Sequence, residues 1–215
     1  MKKSPFFLAL ALAMVGLAPS ARAGTLRDSA SVTAPGLRPQ VLALALKAYE
    51  HARQLGQTAS SIVTLIDYSL PSTEPRLWVL DVRRGALLFH ELVAHGKQSG
   101  DDLATAFSNR PGSQQSSLGS FVTGETYAGR HGLSLRLRGL EPGINDNAEE
   151  REIVVHGAPY VNPAAARVLG RLGRSQGCPA VRPEVASRII RTIKDGTFLF
   201  AYYPDPALQG SSYLN

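Results

Sequence analysis

Cysteine is almost missing from this chain. Its 215 residues include one, Cys178, so no internal disulfide can form and stability must come from a core. No H-E-x-x-H or C-x-x-C spacing occurs, so zinc hydrolases and zinc-ribbon modules lack their signatures. His95, His131, His156 and Cys178 could be offered as ligands only without such spacing, and neither metal nor cofactor is expected. No dense Lys/Arg block with interleaved aromatics is present, which gives nucleic-acid binding little support. No internal repeat or low-complexity block is found. With 44% hydrophobic and 19% charged residues, disorder, collagen and coiled coil are excluded.

What is present begins with an export signal. Lys2 and Lys3 precede an apolar run from Phe6 to Ala18, and Ala21-Arg22-Ala23 reads as a cleavage site before Gly24. The run is too short for a comfortable membrane span. No Cys stands near the cut, so a lipid anchor there is not expected. Residues 1–23 are therefore expected to be a signal peptide, and the protein to be exported and periplasmic. Removing Lys2, Lys3 and Arg22 lowers Lys+Arg from 23 to 20 against 17 acids, so the net charge falls from +6 to +3.

Residues 24–56 read as a leader and a helix. Val41, Leu44, Ala45, Ala48, Ala52 and Leu55 keep helical spacing between Pro39 and Gly56. From 57 to 203 the pattern is mainly β with a few helices. Strands are expected at 62–68, 76–83, 86–95, 118–127, 133–137, 152–156 and 197–203, and helices at 164–172 and 183–194. Asp101 to Ser117 is a long polar loop, of the kind that is usually functional or mobile. Residues 204–215 read as a tail.

Three segments stand out for chemistry, the third being Val93-Ala94-His95-Gly96. In Val154-Val155-His156-Gly157-Ala158, a β-branched run delivers a His to a strand end. In Gly173-Arg174-Ser175-Gln176-Gly177-Cys178-Pro179-Ala180, a Cys sits in a turn of small residues. A Gly before a nucleophile frees backbone N–H groups to meet a reacting carbonyl. A free thiol is mostly protonated at neutral pH, and a nearby imidazole repairs this by taking the proton. The expectation is an accessible thiol of lowered pKa at Cys178, paired with His156. The bland alternative is a buried Cys acting as a small hydrophobe. His51 and His90 read as structural and His131 as a turn residue. Val93-Ala94-His95-Gly96 is a second strand-end His-Gly. All five His precede Cys178, which excludes the papain-like order of Cys before base His.

These residues resemble the L,D-transpeptidase signature of the YkuD superfamily: a His-Gly, then Ser/Thr-x-Gly-Cys. Further ordered segments resemble its murein L,D-transpeptidase catalytic domain-like branch. They are Val93–Gly96, Phe107–Asn109, Ser116–Gly119, Thr126–Gly132, Leu140–Ala148 and Gly173–Ala180. The resemblance spans roughly residues 60 to 203. It implies a β-sandwich-type catalytic domain acting on peptidoglycan stem peptides, as donor and acceptor, through a thioester. It implies Cys178 as nucleophile, His156 as base, Gly157 as the carbonyl that orients His156, and Gly177 and Cys178 N–H groups as oxyanion hole. Ser175, Arg174, Tyr127 and His95 are implied on the substrate side. Products would be 3-3 cross-links or links from the first stem residue, and a carbapenem would acylate the thiol. Two departures stand out: Gln176 replaces the family's common His, and Pro179-Ala180 follow Cys178. Rival readings are an inactive cell-wall binding module, a sortase-like transpeptidase and a peptidoglycan hydrolase.

Overall fold

The computed structural model describes residues 34–215 together with Met1. The expected signal peptide and most of the leader lie outside the described residues. Among the described residues no helix is long and apolar enough to cross a membrane.

Helix α1 (Pro39–Gln54) opens on Pro39, whose fixed φ suits a first helical turn. It buries Val41, Ala45, Leu46, Ala48, Tyr49 and Ala52, a stripe at helical spacing. It packs on the strands β1 (Ile62–Asp67) and β8 (Phe198–Tyr202). Leu55, read from the sequence as part of that stripe, is exposed, because the helix has already ended. Helix α3 (Pro183–Ile193) buries Val185, Ala186, Ile189, Ile190 and Ile193. Each fully buried Ile contributes on the order of 2 kcal/mol by transfer alone. This helix lies against β5 (Gly132–Gly139), β6 (Val154–Gly157) and β1.

The remaining strands are β2 (Leu77–Asp81), β3 (Ala86–Glu91), β4 (Gly119–Gly129) and β7 (Ala180–Val181). All eight form one sheet in the order β3-β2-β1-β8-β4-β5-β6-β7. The pairs β1/β8 and β6/β7 are parallel and the others antiparallel. The sheet nearly closes, because Ala94, just beyond β3, bridges to Ala180 of β7. This is the mainly β domain with few helices that the sequence implies.

The last dozen residues do not hang free as a tail. They form α4 (Pro206–Gln209) and bury Leu208, Tyr213 and Leu214 in the main core. Buried Glu141 fastens them, accepting the Ser211 hydroxyl and the Ser120 N–H. A short helix, α2 (Pro163–Leu169), capped by the Asn162 side chain, fills the connection between β6 and β7.

Candidate active site

Period-2 alternation and register build one wall of the site. Tyr127 of β4 pairs with Ser134 of β5, and Ser134 with His156 of β6. These three side chains share a row across the sheet. Arg136 and Val154 stand two residues away on the same face. All five line a cavity of about 830 Å3.

The turn before β7 also lines the cavity. His156 is in register with Ala180, so Cys178 lies two residues before the partner of the His and also lines the cavity. The turn is braced from within. Ser175 Oγ donates to the Cys178 carbonyl at 2.6 Å and accepts the Gly177 N–H at 3.0 Å. From outside, Ser116 Oγ donates to the Gly177 carbonyl at 3.1 Å and accepts the Gly96 N–H. Gly177 has φ +125°, and a Cβ there would meet the Gln115 carbonyl at 2.8 Å. Only glycine fits both constraints. The 101–117 loop supplies Gln115 and Ser116. Arg151 pins that loop by donating to the Ser108 and Gln115 carbonyls and to the Ser113 and Ser117 hydroxyls.

The electrostatics revise the sequence reading of the thiol. Cys178 is half-buried, and burial pushes its pKa up, not down. The Val154 N–H, then Arg151 and Arg130, oppose that rise without reversing it. The thiol lies 3.6 Å from the Glu152 carbonyl, a neutral S–H donor facing an acceptor. Burial also pushes His156 down, and His131 and Arg130 add to the fall. His156 Nδ1 is 3.0 Å from the Gly157 carbonyl. A carbonyl only accepts, so Nδ1 carries the proton and Nε2 is left as the basic nitrogen. Both shifts favour the neutral form, of the thiol and of the imidazole alike.

Three further expectations change. The Gly177 N–H is spent on Ser175, so it is not an oxyanion donor; the Cys178 N–H meets no acceptor among the described residues. The Ser175 hydroxyl is likewise used up inside the turn rather than offered to substrate. His95 is wholly buried away from the cavity. Its Nδ1 accepts from Arg76 at 2.8 Å, and burial beside that cation pushes it down to about 4. Arg174 lines the cavity but is also held by the Gly100 carbonyl and Asp101. Lys97, Arg130, His131, Glu152 and Tyr160 line the cavity and were not singled out for it by sequence. Among the described residues no three His, Cys, Asp or Glu side chains gather as a metal site.

The L,D-transpeptidase catalytic domain model matches residues 33–202. The chain belongs to that family. No curated protein matches it. Among solved structures it is similar to an L,D-transpeptidase from Mycobacterium smegmatis, at 13% identity and TM-score 0.42, covering 67% of this chain and 59% of that one. An L,D-transpeptidase from Mycobacterium tuberculosis H37Rv gives 15%, 0.38, 66% and 58%. The helical cell shape determining protein Pgp2 from Campylobacter jejuni gives 12%, 0.43, 74% and 57%. The chain spans less than two thirds of the length of these structures, and the family match, not these distant likenesses, places it among L,D-transpeptidase domains.

Proposed function

We propose that this L,D-transpeptidase-family domain is an exported, periplasmic cysteine acyltransferase that cross-links peptidoglycan stem peptides. The observation that carries the reading is the meeting of Cys178 and His156 in one cavity, with the His156 Nδ1 proton committed to Gly157. Export rests on the Lys2-Lys3 start, the apolar run and the Ala-x-Ala site.

In this reading Nε2 of His156 takes the Cys178 proton as sulfur attacks the carbonyl of an L–D peptide bond. The Cys178 N–H faces the developing oxyanion. The tetrahedral adduct collapses to a thioester, and the imidazolium returns the proton to the departing amine. An acceptor amine then attacks the thioester and gives its proton to His156, and the thiolate leaves and is reprotonated. Shifts toward the neutral forms suit this cycle, because charge then separates only when substrate has displaced water. Lys97, Arg130, Arg136 and Arg174 outnumber the one acid, Glu152, among the charged cavity residues. Such a rim suits peptides bearing several carboxylates, as stem peptides do.

The test is incubation of the purified protein with isolated disaccharide-tetrapeptides and mass analysis of the products. Wild type should yield cross-linked dimers, whose fragmentation distinguishes 3-3 links from links to the first residue, and Cys178→Ala should yield none. Release of the terminal residue without dimers would make it a hydrolase. No turnover by wild type, with retained binding to peptidoglycan, would leave the binding module.

A further inference from the structure

The β4–β5 hairpin ends over the site. Gly129 pairs with Gly132, which adopts φ +75°, and Arg130-His131 form the two-residue tip. Both tip side chains line the cavity. The His131 ring stacks on the His156 ring, with centroids 4.4 Å apart and planes 26° from parallel. Arg130 Nε lies 3.0 Å from His131 Nε2. A guanidinium only donates, so this His131 nitrogen stands as the acceptor.

We infer that His131 is a positioning residue for His156: anchored by Arg130, its ring covers one face of the imidazole and fixes the rotamer that puts Nδ1 on Gly157. The inference rests on the reading of His156 as the base. Two observations support it. His156 is only 3% exposed, and the residue that stacks on it belongs to a solvent-exposed hairpin tip, so the tip covers it. The second is that Gly157 supplies the sole hydrogen bond to the ring among the described residues. One hydrogen bond to a carbonyl leaves the ring free to swing about it, and a stacked plane removes that freedom. Arg130 and His131 face His156 from the hairpin and Cys178 from the turn; Glu152 and Tyr160 share the cavity.

The experiment compares wild type with His131→Ala and His131→Phe in the full chain, by two readouts. The first is the pH titration of the His156 Cε1–H resonance, which needs no turnover. The second is kcat and KM on stem peptides. His131→Ala should shift the His156 resonance, raise its titration midpoint and lower kcat about tenfold with KM little changed. His131→Phe keeps a flat ring and should restore kcat to within about threefold of wild type. An unchanged His156 titration in His131→Ala overturns the inference, whatever the activity. A rise in KM shared by both variants also overturns it, by making His131 a substrate contact. Failure of the transpeptidase reading itself would show instead as turnover by Cys178→Ala, with the His156 titration still decisive for the stack.

Discussion

Acid should loosen this domain through His95, by an amount the structure sets. The ring is wholly buried, and its Nδ1 accepts from the Arg76 guanidinium at 2.8 Å. Arg76 is itself buried, holding the Val93 and Leu70 carbonyls. Protonating His95 would place an N–H against those donors and a second charge beside the first. That cost, with burial as its largest part, holds His95 at about 4 against an ordinary 6.5. The unfolded chain takes up the proton as pH falls through about 6.5, whereas the folded domain refuses it until about 4. The neutral ring's share of stability is therefore complete above 6.5, shrinks between 6.5 and 4, and is gone below. The interval corresponds to about 3 kcal/mol. His95→Asn keeps an acceptor for Arg76 but cannot titrate. At pH 7 it should cost roughly 1–3 kcal/mol through lost ring packing. Urea unfolding followed by Trp78, the one tryptophan and wholly buried, measures both proteins from pH 7 to 4. Carboxylate effects are common to both and cancel, so the wild-type advantage should shrink by about 3 kcal/mol and reverse near pH 4. A gap that stays constant with pH would refute the reasoning. The loosening would reach the site, because the His95 carbonyl holds the Ser175 N–H at 2.9 Å.

The catalytic titration should be separable from that one. His156 is pushed below its usual value, so kcat/KM should hold its plateau past pH 6.5 on the acid side; an acid limb at or above 6.5 would contradict the buried, Arg130-facing ring. Iodoacetamide should label Cys178 in the folded protein only sluggishly at neutral pH and faster under alkaline conditions, since burial raises the thiol; rapid labelling at pH 6 would indicate a thiolate instead. A β-lactam is a strained acyl donor, and imipenem should leave one adduct on wild type, seen by intact-protein mass, and none on Cys178→Ala; an adduct on the variant would mean another nucleophile.

Much of the fold was legible because its signals are local. The Ile189-Ile190-Ile193 stripe of α3 and the β-branched run of β1 state their periods outright. Strand β7 was not legible, since two residues have no period, and its place is fixed by Ala94 and His156 on other segments. The packed C-terminus hid behind three scattered apolar residues, and the Ser211 hydroxyl that anchors it finds Glu141, 70 positions upstream. At the site, His156-Gly157 and the Cys178 turn stood out because chemistry and chain geometry coincide there. His95 and His131 exchanged places for a reason local sequence does not hold. One lies past a strand end where the sheet closes, and the other at the tip of a hairpin whose register alone aims it at His156. The Gly177 N–H was misread because its partner depends on the Ser175 rotamer, not on the Gly-Cys order.

The central claim is that Cys178 carries the acyl group. Acid-quenched mixtures of full-length protein and disaccharide-tetrapeptide, read by intact-protein mass spectrometry, test it most directly. Wild type should gain the mass of the donor acyl group, labile to hydroxylamine as a thioester is, and peptide mapping should place it on Cys178. His156→Ala should accumulate it about two to four orders of magnitude more slowly. Turnover of stem peptides by Cys178→Ala at the wild-type rate, or an acyl group mapped to any other residue, would contradict the account.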